Sequence, residues 1–442
     1  MSGKNMKKGL GVDEKIPFSK AWLFSLQHVF AMCAGAVAVP IIVGGSAGLS
    51  PGEIVFLINA VLFMAGISTL FQSFGVGNIL GAKIPIIEGT SFAAVACMTA
   101  IATTYQGNPH LAMTTIYGAV MAAGLGCLFI APLFGKLIRY FPKVVTGTVV
   151  IIIGISLLPV GIKWITNSKV AAANSDEVYL SLAVLLITIL AFKYFKGVWN
   201  SAAIIFSLVI GTIVAWLFGM LDLSRVAQAN WLTVNLPFHF GAPRFELSAI
   251  ISMLLVMLVL MTESTGNMIA VFETVEKEAE GKNIRKGLMA DGASTFIAGM
   301  FNTFPQTPFA QNVGLVGLTG IKSRFVAVYA GIILLVLGFI PKFGALMASI
   351  PNQVLGGVAF AMFGMVLVGG IRTLSKVDFN GTKNGVIVAV SIGLSMIPLA
   401  NPDFYNEFPS WVQTIFHSGI TTGSLSAILL NLFFNGKVKE RA

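Results

Sequence analysis

Long apolar stretches separated by short polar links run along nearly the whole chain. They cover residues 20–43, 52–74, 84–103, 112–132, 144–162, 178–195, 201–221, 247–272, 287–304, 309–320, 325–341, 351–371, 385–400 and 411–435. Because about 20 predominantly apolar residues let a helix cross a bilayer, the pattern predicts an all-α polytopic membrane protein with fourteen transmembrane segments. The composition agrees, since 56% of the 442 residues are hydrophobic, 10% are charged, and the mean hydropathy is +0.87.

The third and tenth segments are interrupted by proline, glycine and polar residues. The tenth lies in FNTFPQTPFAQNVGLVGLTG (Phe301 to Gly320), and the third lies in AKIPIIEGTSFAAVACM, which starts at Ala82. Irregular backbone at membrane depth is tolerated only where it is buried in protein or lines a water-filled cavity, and such segments mark transporter binding sites. We therefore expect each segment to form a short strand followed by a half-helix. The two half-helices would aim their N-termini at a ligand near the midplane.

An internal repeat indicates how the fourteen segments are arranged. The stretch PLFGKLIRYFPKVVTGTVV begins at Pro132, and PKFGALMASIPNQVLGGVA begins at Pro341. At the same offset of 209 residues, eight positions of these stretches are identical, and Gly161–Ile162 recurs as Gly370–Ile371. The two stretches precede and open the fifth and twelfth segments, which are seven segments apart. An odd separation gives the copies opposite orientations, so the sequence predicts a 7+7 inverted repeat.

The distribution of basic residues tests this count. With the N-terminus in the cytoplasm, the outward-facing links contain five of the 28 basic residues, and the other 23 lie on the cytoplasmic side. The five are Lys163, Lys169, Arg225, Arg244 and Lys342. The asymmetry follows the positive-inside rule, so we expect both termini to be cytoplasmic. The net charge of +10 therefore reflects topology and does not indicate nucleic-acid binding.

Few ionisable residues lie inside the apolar segments, so each is a candidate functional residue. Glu263 is in the middle of the eighth segment, with Asn267 one turn away on the same helix face. It is either a carboxylate for ligand N–H groups or a protonated carboxyl bonded to a neighbouring helix. Asp291 is either a structural acceptor or a proton-coupling site. His28 either orients a site residue or packs in the interior, and Glu88 is given less weight because a cytoplasm-facing position suits it equally well.

Other chemistry has little support in the sequence. No nucleotide-binding loop is present, which argues against an ATP-driven pump. No His/Cys spacing suits a metal, no nucleophile–base pair suggests an enzyme, and no cofactor is predicted. Cys33, Cys97 and Cys127 all fall in apolar stretches, where cysteine usually packs as a small hydrophobic residue. Ser418, beside His417, would either line the transport path or cap the last helix.

Several of these stretches resemble the nucleobase–ascorbate transporter family, also called the nucleobase:cation symporter-2 family. FAQNVGLVGLTG resembles its signature, a Gln or Glu followed by Asn-x-Gly and then Thr-Gly or Thr-Arg. LQHVFAMCAGAVAVP, MTESTGNM, ADGASTFIAGMFNTFP and IPNQVLGGVAFAMFGMVL resemble other parts of the same family. The likeness extends over nearly the whole chain and is strongest to the bacterial xanthine/urate permease branch.

The resemblance implies an architecture and an assembly. Segments 1–4 and 8–11 would form a core domain (16–140 and 246–342). Segments 5–7 and 12–14 would form a gate domain (141–245 and 343–442). Family members are homodimers joined largely through their gate domains, and they move substrate by displacing the core against the gate. The implied location is the bacterial cytoplasmic (inner) membrane, in contact with lipid.

The resemblance also implies a role for individual residues. Glu263 would bind the N–H and carbonyl edge of a purine, and Gln311 would be the second side-chain contact. Phe92 would stack on the base, and Ser91, Phe309 and Ala310 would complete the pocket. Positions expected to shape or couple the site are Asp291, Asn312, His28, Asn267 and Ser418.

The implied function is uptake of oxidised purines, xanthine and/or urate, by proton symport with alternating access. Serine at 91 and 418 resembles urate transporters, whereas Thr319–Gly320 resembles the xanthine type, so both substrates remain open. Glu263 or Asp291 would carry the coupled proton. The alternatives are a symporter for uracil or another nucleobase, a passive channel, and an anion carrier of related inverted-repeat architecture. The anion carrier is disfavoured because the apolar segments contain no midplane Lys or Arg.

Overall fold

The computed structural model describes residues 11–105, 107–134, 142–166, 175–196, 202–409, 412–413, 416 and 418–436, which are mostly helical. His417, both chain ends and residues 135–141 of the first repeat copy lie outside this part. The helices are α1 (Phe18–Ala47), α2 (Pro51–Ser73), α3 (Val95–Thr104), α4 (Pro109–Ile130), α5 (Lys143–Ile165), α6 (Ser175–Tyr194), α7 (Ala203–Leu217), α8 (Ser224–Gln228), α9 (Leu247–Thr274), α10 (Gly281–Met300), α11 (Ala310–Thr319), α12 (Phe325–Gly338), α13 (Pro341–Ala348), α14 (Asn352–Leu374), α15 (Lys383–Ala400) and α16 (Gly419–Asn435).

Eight helices in the described ranges are long and apolar enough to cross a membrane: α1, α2, α4, α5, α6, α9, α14 and α15. The number becomes nine if α12 and α13, which meet at an angle of 85°, are counted as one span. The remaining predicted segments correspond to helices that are shorter or more polar. A polytopic helical membrane protein is confirmed, while the count of fourteen stays a prediction.

Local sequence signals explain the hairpin formed by the first two spans. Gly48 ends α1 with a φ of 78°, in the left-handed region that glycine adopts without strain. Ser50 then caps α2, because its side chain accepts the Glu53 N–H while the Glu53 carboxylate accepts the Ser50 N–H. This capping box satisfies two N–H groups that the start of a helix leaves open. The two helices therefore turn back on each other and pack side by side.

The link between α2 and the third segment is longer than the nine residues that separate the expected segments 52–74 and 84–103. Residues 74–87 contain no helix, and Lys83 itself has a φ of 55°. The Ser73 hydroxyl donates to the Ile86 carbonyl at 2.8 Å, which ties this link to the end of α2. The expected start of the third segment at residue 84 therefore corresponds to irregular backbone that leads into a strand.

The two broken segments form the only strand pairing in the described part of the chain. Strands β1 (Glu88–Thr90) and β2 (Gln306–Pro308) are antiparallel, with Gly89 opposite Thr307. β1 leads through a 3₁₀ turn (Phe92–Ala94) into α3, and β2 leads directly into α11. The prediction of short strands in segments 3 and 10, each followed by a half-helix, is confirmed.

The sequence repeat corresponds to a close contact between α5 and α14, which are both 23 residues long. A β-carbon added to Gly370 would lie 2.8 Å from the Gly147 carbonyl oxygen, and one added to Gly356 would lie 3.2 Å from that of Gly161. Gly147 and Gly356 are equivalent in the repeat, as are Gly161 and Gly370. Gly147 therefore packs on Gly370, and Gly161 packs on Gly356. This exchange of partners is expected when two antiparallel copies are related by a pseudo-twofold axis.

The helices pack as two groups. One group consists of α1, α2, α4, α9, α10 and α12, of which α1, α2, α9 and α10 contact the strand pair. In the other group, α5, α6, α7, α14, α15 and α16 pack chiefly on one another. Fewer contacts join the groups, and these come mainly from α9, α3 and α1. The strand pair lies inside the first group and next to its boundary with the second.

Candidate functional site

The strand pair fixes where both half-helices begin. The Ser91 N–H donates to the Pro305 carbonyl and the Phe309 N–H donates to the Ile87 carbonyl, both at 2.9 Å. The Ser91 hydroxyl accepts the Ala93 N–H at 3.1 Å and caps the first half-helix. At the N-terminus of α11, the Phe309 side chain cannot act as a hydrogen-bonding cap. The first N–H groups of this helix therefore have no intrahelical partner, and they lie at the positive end of the helix dipole.

Two phenylalanines form an apolar wall beside these helix starts. The Phe92 and Phe309 rings lie 6.4 Å apart between centroids, and Phe92 meets Phe363 of α14 edge-on at 5.7 Å. Glycines make room for Phe309, since a β-carbon on Gly35 would lie 2.7 Å from its Cε1 atom and one on Gly89 would lie 2.5 Å from its Cε2 atom. The wall therefore spans the boundary between the two helix groups and offers flat faces to a planar ligand.

Glu263 lies on α9 where that helix meets α5. Its side chain is half-buried and makes no hydrogen bond with any described residue. It borders a cavity of about 10 Å³ together with Thr146 and Val149 of α5, which is room for about one water molecule. The alternative role of Glu263, a protonated carboxyl that bonds a neighbouring helix, therefore has no hydrogen bond to support it among the described residues.

Gln311 is the second unpaired candidate. It stands on the first turn of α11, half-buried, and its amide makes no hydrogen bond within the described ranges. Ala310, just before it, is exposed. A carboxylate on α9 and an amide on α11 are thus without hydrogen-bond partners among the described residues, although buried polar groups are normally paired.

His28 and Asn267 hold the second half-helix in place. The Asn312 amide donates to the His28 carbonyl at 2.9 Å and lies 3.0 Å from the His28 Nδ1 atom, so α1 and α11 are joined twice. The Asn267 amide donates to the Pro308 carbonyl at 3.2 Å and joins α9 to the end of β2. Both residues therefore position the backbone around the site. His28 does not simply pack in the interior, because Asn312 is its specific hydrogen-bond partner.

Asp291 is buried on α10 and accepts a hydrogen bond from the Gln72 amide at 2.6 Å. Glu88, at the start of β1, is also fully buried and interacts electrostatically with Asp291. The expectation that Glu88 faces the cytoplasm, which made it a weaker candidate for a functional residue, was wrong. Its strand β1 pairs with β2 in the interior of the protein. Gln72 had not been singled out, and only its polar amide in an apolar helix distinguished it in the sequence.

Ser418 caps the last helix, because it accepts the Thr421 N–H at 3.2 Å and begins α16. That it also lines the transport path stays a prediction. The next residue, Gly419, lines a cavity of about 810 Å³ between the two helix groups. Lys163, Trp164 and Arg225 line the same cavity, as does Val95 in the first turn of α3.

Comparison with known proteins places the chain among transporters. It is 41% identical to the uric acid transporter UacT of Escherichia coli over 96% of this chain and 88% of UacT. It is 41% identical to the uric acid permease PucK of Bacillus subtilis over 95% of this chain and 96% of PucK. It is 39% identical to the xanthine permease of B. subtilis over 95% of this chain and 94% of the permease.

Solved structures share the fold at low sequence identity. The transmembrane domain of the cyanobacterial bicarbonate transporter BicA matches with a TM-score of 0.63 and 17% identity, covering 94% of this chain and all of that domain. The murine anion transporter Slc26a9 matches with a TM-score of 0.65 and 12% identity, covering 95% of this chain and 69% of that chain. Both are inverted-repeat transporters, which confirms the predicted fold class.

A family model described as a permease family matches residues 19–404, which include both broken segments and every candidate residue except Ser418. Its members and the relatives above are transporters and not enzymes. The chain belongs to this permease family, the nucleobase:cation symporter-2 family that its motifs predict.

Proposed function

We propose that the protein takes up oxidised purines, xanthine and/or urate, by proton symport with alternating access. One observation carries the proposal: two side chains near the strand pair have no hydrogen-bond partner among the described residues. Glu263 precedes Ser264, which contacts Thr307 of β2, and Gln311 stands in the first turn of α11, two residues after Phe309 of the phenylalanine wall. The relatives named as uric acid transporters and xanthine permeases support the substrate class.

The chemistry of the ligand fits these groups. Xanthine and urate are planar rings with N–H donors and carbonyl acceptors along their edges. A carboxylate accepts two hydrogen bonds side by side, which suits adjacent ring N–H groups, while an amide offers both a donor and an acceptor. Phe92 would stack on the ring, and the open N–H groups at Ala310 and Gln311 would meet its carbonyl oxygens.

The packing of the helices supports a core domain and a gate domain. The core would be 16–140 with 246–342, and the gate would be 141–245 with 343–442. The many contacts within each group and the few between them favour displacement of one group against the other. The 810 Å³ cavity lies on this boundary and would be the outer vestibule, since Lys163 and Arg225 belong to links expected to face outward.

The remaining parts of the proposal follow from the family. The chain would lie in the bacterial cytoplasmic membrane with both termini cytoplasmic, in contact with lipid, and would form a homodimer through its gate domains. Large apolar side chains exposed on α6 and α7, such as Leu186 and Trp216, suit lipid or a second copy. If the protonation state of a carboxyl governs substrate affinity, proton binding to that carboxyl would link the proton gradient to the purine gradient.

Anion carriage is a second candidate because two structures of similar fold are named as bicarbonate and anion transporters. A carrier of small anions needs a cationic or neutral site. Glu263 instead adds negative charge, so the purine assignment is favoured.

We expect cells expressing the protein to accumulate labelled xanthine or urate, and a protonophore to reduce the accumulation at least tenfold. The reason is that uphill transport needs the proton gradient, whereas a channel only equilibrates substrate. Cells with the empty vector are the control. Equal internal and external concentrations, unaffected by the protonophore, would identify a channel, and uptake of bicarbonate without purine would identify the anion carrier.

A further inference from the structure

Two residues with buried carboxyl groups contact the same face of α2. The Glu88 N–H donates to the Thr69 hydroxyl at 2.9 Å, and Asp291 accepts from the Gln72 amide about one helix turn further along. Glu88 is 0% exposed and Asp291 is 1% exposed, and the two interact electrostatically. Neither oxygen of Glu88 has a hydrogen-bond partner, and Asp291 lacks a partner for its Oδ2 atom. Three carboxyl oxygens are therefore without a donor in the interior of the core.

The Gln72 side chain on α2 is a donor to one of these carboxyls. The Gln72 amide nitrogen donates to Asp291 Oδ1 at 2.6 Å and to the Gly287 carbonyl at 3.0 Å, which uses both of its hydrogens. Its oxygen accepts the Ala82 N–H at 3.1 Å. Gln72 thus orients Asp291.

No cation offsets the pair. Within the described residues, no Lys, Arg or His nitrogen lies within 4.0 Å of either carboxyl. Titratable groups on the adjoining elements include Cys127 on α4, Glu263 on α9, His28 on α1 and Lys83 before β1. Cys127 donates to the Leu288 carbonyl, the His28 ring meets Asn312, and Lys83 binds the Gly77 carbonyl.

Two carboxylates that are both ionised here would repel each other and would lack compensating donors, which is strongly unfavourable in a low-dielectric interior. One proton on the pair removes one negative charge. It also converts one oxygen into an O–H donor that the other carboxylate accepts, as in paired carboxyl groups of proteins that share a proton.

We propose that Glu88 and Asp291 together form the binding site of the coupled proton, with Gln72 as its positioning residue. The inference rests on the proposed proton symport and deepens it, since it chooses Asp291 over Glu263 as the proton carrier and adds Glu88 as its partner. A proton from the outer side binds the dianionic pair and forms one O–H bond. That bond breaks when the pair opens to the cytoplasm, and the proton leaves to water.

A short route connects this pair with the purine site. The Ser264 hydroxyl, next to Glu263 on α9, lies 3.0 Å from the Thr307 hydroxyl of β2 and interacts with Asp291. On the other strand, the Glu88 N–H donates to the Thr69 hydroxyl of α2 at 2.9 Å. Protonation of the pair and purine binding therefore act on the same strands and the same helix, which is what coupling requires.

The test uses the purified full chain in proteoliposomes, with Glu88→Gln as the variant and Glu276→Gln as the matched control. Glu276 is 80% exposed and pairs only with Lys322 among the described residues. Glutamine at 88 supplies a permanent donor to Asp291 and imitates the protonated pair. We expect Glu88→Gln to keep at least half of the exchange of labelled for unlabelled xanthine or urate. Accumulation driven by an imposed proton gradient should fall at least tenfold, and substrate-induced proton entry, read with trapped pyranine, should be lost.

Two results would overturn the proposal. One is accumulation and proton entry in Glu88→Gln equal to those of Glu276→Gln. The other is that Glu88→Gln loses both exchange and accumulation, and that Glu88→Asp, which retains a carboxyl, is equally inactive. This result would make Glu88 a structural residue. Wild-type vesicles test the proposed function separately, because absence of proton-driven uptake there would refute symport itself.

Discussion

Glu263→Gln is expected to abolish accumulation of xanthine and urate and to weaken their binding about 100-fold or more. The unpaired carboxylate of Glu263 is proposed to accept two ring N–H groups, and hydrogen bonds to a charged group contribute about 1.5–3 kcal/mol each. A tenfold change in affinity corresponds to about 1.4 kcal/mol, so loss of one of these bonds, conversion of the other to a neutral bond and one repulsive contact together span about two decades. Glutamine presents an N–H₂ group to one of those donors and adds a repulsive contact. Uptake of labelled purine and calorimetric titration of the purified variant measure the two effects.

Glu276→Gln is the control for this variant, because Glu276 lies two residues beyond the end of the same helix and is largely exposed. It should transport and bind as wild type does. Wild-type uptake by Glu263→Gln would refute the role assigned to the carboxylate.

Gly35→Ala is expected to reduce purine affinity at least tenfold while the protein stays folded. The added β-carbon would lie 2.7 Å from Phe309 Cε1 and 3.3 Å from Phe92 Cε2. Phe309 is 5% exposed and packs against Gly89 on its other side, so its ring cannot withdraw without moving β1. Alanine also favours helix over glycine by about 1 kcal/mol, so the thermal unfolding temperature should not fall much. Ligand titration measures the purine affinity of the variant, and thermal unfolding measures whether its stability is retained.

Gly314→Ala makes the same substitution in α11, where an added β-carbon meets nothing within 4 Å. Its affinity should be within twofold of wild type. Equal affinities for Gly35→Ala and Gly314→Ala would show that the phenylalanine wall does not contact the ligand.

The backbone of the site was predictable because its signals are local. Pro85 and Pro305 interrupt apolar segments, and strands followed by half-helices occur after each of them. The repeat was equally visible, since α5 and α14 are offset by the same 209 residues as the matching sequence. These features follow from hydrogen-bonding capacity and from spacing along the chain, which a single sequence contains.

The partners of the polar residues were not predictable in the same way. Glu88 and Asp291 are 203 positions apart, and only the strand pairing and α2 bring them together. His28 had two possible roles until α11 placed Asn312 beside it. The separate helix α13, at 85° to α12, begins at the repeat proline Pro341, which the sequence assigned to the entry of the next span. Tertiary contacts decide each of these features, and local patterns do not encode them.

The central claim is that an oxidised purine binds between the two half-helix starts. An electron cryomicroscopy structure of the purified protein with xanthine or urate tests it most directly. The account predicts ligand density with ring edges within hydrogen-bond distance of the Glu263 carboxyl and the Gln311 amide, and with the ring against Phe92. Density elsewhere in the molecule, with both of those side chains untouched, would contradict it.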